Sequence, residues 1–535
     1  MTSLSISNAL KYTLIVSLGG FIFGFDASVI SGAIGFISEA FKLTPWQQGI
    51  VVSAPTLGGL VATLIAGPVA DAIGRKQTLL MTACLYFVSA IGSAFATSFE
   101  ALVIARFIGG MAFCSLMVAP MYIAEISLAD QRGRLVSVNQ LNIVVGLFIS
   151  YFTNYFLLQL SHSDEMWVSG WQIDSQTWRW MLGVEALPAL AWILLLLLLP
   201  RSPRWLLMKD QPLEAKRTLT RLFGSNNAQQ QLDAIQAALP KLQLSSLSLA
   251  RKMGSLFSKR LRVPLMVGVV LAIAQQVTGI NVVFFYAPTI FEQSGIGTDA
   301  AFMQAIWIGL INVVFTIVAL LTIDKLGRRP LLLIGLTGIC FSMALCSWGF
   351  KQATYQLNTA HIAEIKAEVA DFPVHALAPI LGQTFTSDVA FNDAIKQRLT
   401  ADEYRQYKSV IFAHSINMPA KLVLLGISLF VASFAMSLGP VMWVMFSEIF
   451  PNAIRAVAIS VVGVINNAAS FTVQLVFPWE LEYLGASITF LLYSLFSLLS
   501  FALVFLFVEE TKGKSLEQLS ESLEQLSESL EAKPS

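Results

Sequence analysis

The chain has 535 residues, 56% of them hydrophobic and 13% charged, against soluble averages of roughly half and a quarter. Its 34 lysines and arginines nearly balance its 33 aspartates and glutamates, and a net charge of +1 excludes the concentrated basic face that a nucleic-acid partner requires. So much apolar surface exceeds what a soluble core uses, and it falls in runs of about 20 residues, the length that crosses a hydrocarbon layer of roughly 30 Å.

The first run, near 11–33, has no small-residue cleavage site and carries Asp26, so a retained helix is expected rather than a removed leader. Further spans are expected near 48–70, 78–97, 101–121, 138–158, 180–199, 264–290, 303–323, 331–350, 421–445, 456–477 and 485–508. That makes an all-α membrane protein of twelve transmembrane helices, lying in the lipid bilayer. Arg75 and Lys76, Arg132 and Arg134, the 200–262 connection, Lys325, Arg328 and Arg329, then Arg455 and Lys512 occupy alternate connections. An excess of Lys and Arg marks the cytoplasmic side, so both termini are expected there.

Within the 200–262 connection, Leu213–Leu222 and Leu232–Leu242 are amphipathic and predict short helices under the bundle. A second long connection, 351–420, falls on the external side by the parity of spans; such a length usually means local structure or function, and a passive insertion is the plainer alternative. The tail repeats Ser515-Leu-Glu-Gln-Leu-Ser-Glu521 as 522–528, a seam of two heptads that predicts a solvated amphipathic helix rather than a coiled coil. The expected domains are an N-terminal six-helix lobe (1–199), a cytoplasmic helical linker (200–262), a C-terminal six-helix lobe (263–508) with the external insertion 351–420, and a tail (509–535).

The halves repeat one another. Asp71-Ala-Ile-Gly74-Arg75 closes the second span and Asp324-Lys-Leu-Gly327-Arg328 the eighth; Glu125 precedes Arg132 by seven residues after the fourth span, and Glu448 precedes Arg455 by seven after the tenth. From Asp71 to Glu125 is 54 positions and from Asp324 to Glu448 is 124, and the 351–420 insertion accounts for the difference. Two pseudo-symmetric six-helix lobes with solute held between them are the plan of rocking transporters. The paired carboxylates and guanidiniums at adjacent helix ends form a candidate cytoplasmic gate, made in one state and broken in the other.

Seven amides lie inside or beside apolar spans: Gln140, Gln275, Gln276, Asn281, Asn312, Asn466 and Asn467. Lipid satisfies none of their donors or acceptors, so they should face the interior. There they suit solute hydroxyls, because each both donates and accepts without net charge. Phe23, Phe285 and Trp443 lie at similar depths and could cover an apolar ring face. Gly279, between Gln276 and Asn281, should loosen the helix. Asp26 and Arg106 are ionisable at mid-span, where a charge costs several kcal/mol or more, so they should pair in the interior.

On Gly24-Phe25-Asp26, Arg106-Phe107-Ile108-Gly109-Gly110, Pro120-Met-Tyr-Ile-Ala-Glu125, Ser202-Pro-Arg-Trp205, Gln275-Gln276-Val-Thr-Gly-Ile-Asn281, Ser447-Glu448-Ile-Phe-Pro451 and Glu510-Thr-Lys-Gly513, the chain resembles the sugar porter family of the major facilitator superfamily, its bacterial proton-coupled members above all. The resemblance implies a two-lobed bundle with alternating access, a monosaccharide or polyol site at mid-membrane, and Asp26 with Arg106 as the proton-coupling site. It implies a monomeric carrier in a bacterial inner membrane, moving a pentose or hexose with a proton. A myo-inositol or polyol carrier, a facilitative uniporter and a non-transporting sensor are the alternatives. The sequence departs from the family at Arg201 and Glu509, and at Asn467, where an aromatic usually closes the sugar site. The insertion is absent from the family's bacterial xylose carrier, whereas inositol carriers have a long loop there.

No enzyme, cofactor or metal is expected. His162, His361, His375 and His414 lack ligand spacing, and no nucleophile elbow is present. Gly513-Lys-Ser lacks the first glycine of a phosphate loop, since position 508 is valine. Cys84, Cys114, Cys340 and Cys346 all fall in apolar runs, which argues against disulfides.

Overall fold

The computed structural model describes residues 2–128, 131–244, 253–254, 256–258, 261–369, 372–451 and 454–512. Among these, twelve helices are long and apolar enough to span a membrane: α1 Asn8–Ala40, α2 Pro45–Ile73, α3 Arg75–Ala94, α4 Phe99–Ile126, α5 Arg134–Ser161, α6 Thr177–Leu197, α7 Arg262–Phe285, α8 Thr298–Ile323, α9 Arg328–Lys351, α10 Ala420–Ile449, α11 Val457–Tyr483 and α12 Ala486–Phe507. They match the expected spans, and most run a few residues further, because backbone hydrogen bonding continues past the apolar stretch until a cap or turn stops it. Thr44 starts α2 with a capping box to Gln47, ahead of Pro45 at the first helical position. Gly74 (φ +94°) ends α2 and Gly327 (φ +92°) ends the helix of α8, a turn open to glycine at both places in the repeat.

Four spans are interrupted at mid-depth. A 3₁₀ turn at Ala112–Cys114 divides α4, α6 breaks at Val184–Glu185, α7 at Thr278–Gly279 and α10 at Ser437. The break in α7 is set by Gly279 at φ +90°, as its position in the sequence implied. Non-helical backbone at this depth survives only inside protein, where its polar groups find partners.

Helices α1–α6 form one lobe and α7–α12 the other. In the first, α1 lies along α5; in the second, α9 packs between α10 and α12. The lobes meet where α2 crosses α11 and α5 crosses α8. That seam is closed from the insertion-bearing face down to mid-bundle. Trp46 stacks on Trp479 (6.2 Å between centroids), Thr56 donates to Gln474 (3.0 Å), Asn467 donates to Thr63 (3.1 Å), and the Tyr151 hydroxyl donates to the Phe284 carbonyl (2.6 Å). At the opposite face, which carries both described ends of the chain, no ion pair joins the lobes among the described residues.

The linker forms the expected amphipathic helices, Pro212–Phe223 and Ser225–Leu244, after a short Pro203–Met208. Leu219, Leu222 and Phe223 are buried in the core of the first lobe, and Asn8 donates to Arg221 O. The heptad repeat at 515–530 lies outside the described residues. The insertion has a core of its own around Tyr355, Phe391 and Phe412. Its three strands, β1 Thr354–Gln356, β2 Thr384–Phe385 and β3 Ile416–Asn417, form an antiparallel sheet in the order β2-β1-β3, with Tyr355 opposite both Phe385 and Ile416.

Candidate functional site

Three ionisable side chains meet in the first lobe, each at most 2% exposed: Asp26 on α1, Arg106 on α4 and Glu185 at the break in α6. Arg106 Nη1 donates to Asp26 Oδ1 at 2.5 Å and Nη2 reaches the Asp26 carbonyl at 3.5 Å. The Glu185 carboxyl lies within hydrogen-bonding reach of the Asp26 carboxyl and in the field of Arg106. Asp26 Oδ2 and Glu185 Oε1 are both buried with no donor. Two carboxyls share one guanidinium, and a single proton between them would neutralise the cluster and partner both orphaned oxygens.

The second lobe gathers neutral amides at the same kind of interruption. Gln275 Nε2 donates to Leu438 O beside the break in α10, and Gln276 Nε2 donates to Gln275 Oε1 and to Asn466 Oδ1. Asn466 Nδ2 donates to Ala272 O and Gln275 Oε1, both at 2.9 Å. Asn281 Nδ2, just past Gly279, donates to Gln276 Oε1 (2.7 Å) and Ser470 Oγ (2.6 Å). Gln474 Nε2 donates to Ser470, and Gln474 Oε1 accepts from Thr56 of the other lobe. A cluster of neutral groups that both donate and accept is chemically matched to a hydroxylated, uncharged solute.

Four of the seven expected amides, Gln275, Gln276, Asn281 and Asn466, are thus brought together. Asn467 turns to Thr63 across the lobe seam. Asn312 is buried on α8 and Gln140 half-buried on α5, and neither bonds to the network among the described residues. Phe23 lies edge-on to Phe113 (4.7 Å), Phe285 packs half-buried on the core, and Trp443 is half-exposed beside Met442, whose sulfur accepts from Asn466. Reading the sequence missed Glu185, Ser470, Gln474, Thr56 and Thr63. Glu185 carried a signal, an acid inside an apolar run; Ser470 and Gln474 carried a weaker one, following Asn466 at intervals of four along one helical face.

At the terminal face the repeated motifs build one device twice. Arg75, 6% exposed, pairs with Asp71 (2.8 Å) and Glu125 (3.0 Å), and Glu125 Oε2 accepts from Ser202 (2.5 Å) at the start of the linker. Arg328 pairs with Glu448 (3.0 Å), whose Oε2 accepts from Thr511 (2.5 Å) just after α12. Each clamp ties two helix ends to the segment that follows its lobe's sixth span. Glu510 reinforces the second clamp by accepting from the backbone N–H groups of Arg328, Arg329 and Lys512. Burial works against its charge, but the backbone amides of Lys512, Arg328, Arg329 and Thr511 together outweigh it and hold its carboxyl below the usual range. Among the described residues Arg328 pairs with Glu448, and Arg455 Nε donates to Phe450 O (3.1 Å). The side chains of Arg132 and Asp324 lie outside the described residues.

The sugar (and other) transporter family matches residues 12–369 and 409–523. The chain is 32% identical over 522 residues to the arabinose-proton symporter of Bacillus subtilis (strain 168), covering 96% of each protein. It is 34% identical over 504 residues to the D-xylose transporter of Levilactobacillus brevis, covering 94% of this chain and 93% of that one. Among solved structures, the inward-open xylose transporter XylE from E. coli superposes with a TM-score of 0.71 at 29% identity, over 96% of this chain and 99% of that one. The fold is that of the major facilitator superfamily, and the chain belongs to the sugar transporter family.

Proposed function

We propose that the protein is a secondary active transporter that carries a monosaccharide together with a proton by alternating access. The observation that carries this reading is the pairing of a buried two-carboxyl, one-guanidinium cluster in one lobe with a neutral amide site in the other. Relatives named as arabinose-proton and D-xylose-proton symporters support both the solute class and the coupling ion.

The amides of Gln275, Gln276, Asn281 and Asn466 are the solute site, with Asn467, Asn312, Gln140 and the rings of Phe23, Phe285 and Trp443 at its margins. Hydroxyls replace the amide-to-amide bonds that fill the site when it is empty. The proton rests between Asp26 and Glu185. Held there, it leaves Arg106 facing a cluster with no excess charge; released, it leaves two carboxylates against one cation, and the α1–α4–α6 packing shifts to bring Arg106 closer or admit water. The clamps Asp71–Arg75–Glu125 and Arg328–Glu448 are the cytoplasmic gate, made in one state and broken in the other, as lobes 1–199 and 263–508 rock about the amide site.

The absence, among the described residues, of an ion pair joining the lobes at the face that carries both described ends of the chain supports an opening on that side. The basic residues of that face assign it to the cytoplasm, in the plasma membrane of a bacterium, with the protein acting as a monomer. The test is uptake of labelled D-xylose, D-glucose and myo-inositol into proteoliposomes with the medium pH recorded. Solute entry that alkalinises the medium is the expected result. Solute entry with no pH change in a protein carrying all three ionisable groups would reduce the reading to facilitated diffusion.

A further inference from the structure

The insertion between α9 and α10 is fastened to one lobe and only touches the other. Lys396 pairs with Glu482 (2.5 Å) at the end of α11, and Asp388 accepts from the backbone N–H of Ala486 (2.8 Å) at the start of α12. Among the described residues its ion pair to the first lobe is that of Lys42 with Asp402, whose side chains are 60% and 69% exposed and which contributes little to holding it. The insertion therefore travels with the second lobe when the lobes part.

Beneath it lies a cavity of about 510 Å³, within the roughly 300–1,000 Å³ of small-molecule pockets. Its walls come from both lobes and from the insertion, so it sits over the closed seam. Its floor includes Tyr286, whose ring packs on Phe477 (4.9 Å) and whose hydroxyl donates to the carbonyl of Gln474, the residue that ties the amide site to Thr56. The roof of the amide site is thus the floor of this chamber.

Lys408 on the insertion helix Ala401–Ser415 lines the chamber and makes no ion pair among the described residues; it lies over the rings of Tyr404 and Phe412. Burial lowers its tendency to hold a proton, and the distant pull of Glu482 and Asp388 offsets this only in part. Phe412, Phe477 and Tyr286 also line the chamber, and aromatic rings suit the C–H side of a pyranose. Glu292, Asp388 and Glu482 supply acceptors, and set against Lys408 and Arg405 they leave no cationic excess that would select an anion. The matched family residues stop at 369 and resume at 409, so Asp388, Asn392 and Lys408 all come from outside them.

Resting on the transport reading above, we propose that this chamber is a second solute site, which binds the neutral polyhydroxylated solute at the insertion face before the lobes open and delivers it to the amide site below. Lys408 donates to its hydroxyls, Asn392 and Asp388 orient it, and the rings cover one face. The test is the KM for D-xylose measured separately from each face, in vesicles of defined orientation holding the full chain. Lys408→Met should raise the ratio of insertion-face KM to terminal-face KM about five-fold, and Lys408→Arg should restore most of it. Should Lys408→Met fail to reach the membrane, Ser409→Trp, at an exposed position on the chamber wall, fills the same space from the surface and should raise the same ratio. An unchanged ratio in folded Lys408→Met or Ser409→Trp, or a KM raised equally at both faces, overturns the chamber as a solute site and leaves the transport reading standing. A parent protein that carries no pentose, hexose or polyol overturns both.

Discussion

The two lobes repeat one fold and divide its chemistry. The first buries two carboxyls, Asp26 and Glu185, against the fixed cation of Arg106; the second gathers the neutral amides of Gln275, Gln276, Asn466 and Gln474, all buried, with Asn281 half-buried beside them, and none of these can titrate. The terminal clamps, by contrast, are nearly copies: Arg75 with Glu125 and Ser202 in one lobe, Arg328 with Glu448 and Thr511 in the other. The two lobes share the clamps at their terminal ends and differ in their interior sites. Recognition of a neutral solute calls for fixed donors and acceptors, whereas energy coupling calls for a group that exchanges a proton with water, and the proposed function places the two demands on opposite sides of one seam.

The strongest way to break this division is Asp26→Asn. Asparagine keeps the size and the contact with Arg106 but cannot release a proton, so accumulation of sugar in energised vesicles should fall to equilibrium while counterflow exchange and sugar binding persist. Uphill accumulation by the variant would remove Asp26 from the coupling role. Glu185→Gln is the next largest. It leaves the Asp26–Arg106 pair intact and removes the second carboxyl, so uptake should continue with a flattened dependence on external pH, read from initial rates between pH 5 and 8. An unaltered pH profile would make Glu185 a packing residue and return coupling to Asp26 alone.

Glu185 also shows where reading the sequence ran out. All twelve spans, the repeat, the long connections and the Asp26–Arg106 pair were legible, because apolar length, glycine turns and a charge inside a span are local signals. Glu185 was equally visible inside its apolar run, and so were Gly183 and Pro188, which flank the break in α6, Pro188 having no N–H for the carbonyl of Val184; which neighbouring helix the break would turn Glu185 toward is a matter of packing that no local pattern carries. Asn467 has the same lesson in reverse. It stands beside Asn466 in the chain, yet one step along a helix turns it about 100° away, so the first joins the amide network and the second the lobe seam.

In the second lobe, Gln276→Ala and Asn281→Ala should each weaken solute binding by roughly 1–3 kcal/mol, because each strands a hydroxyl or an amide in a buried site. Gln276 Oε1 accepts from Asn281 (2.7 Å), so the double variant should lose less than the two single losses together. Calorimetry in detergent reads both. Neither change should alter the proton stoichiometry of the transport that remains; if it does, the lobes do not divide the chemistry as described.

The smallest effect sharpens the comparison by separating two pH responses. Glu292, just beyond the end of α7 and on the wall of the insertion-face chamber, has its carboxyl pushed up to about 7 by burial, with a hydrogen bond involving Thr298 pulling the other way. In the unfolded chain the same group titrates near about 4.3. Between those values the unfolded state has released its proton and the folded state has kept it, so stability is lost as pH rises from about 4.3 to about 7 and is flat beyond. At about 1.4 kcal/mol per unit the loss is at most about 3–4 kcal/mol, and water reaching the chamber makes it smaller. Glu292→Gln removes the titration but can still accept a hydrogen bond from Thr298. Its melting temperature should therefore equal the parent's near pH 4 and exceed it at pH 8, while the pH profile of uptake, set in the other lobe, stays as in the parent. A melting difference that is constant from pH 4 to 8 would show that Glu292 is not held protonated by its surroundings, and a shifted uptake profile would show that the proton path runs through the chamber as well as through Asp26.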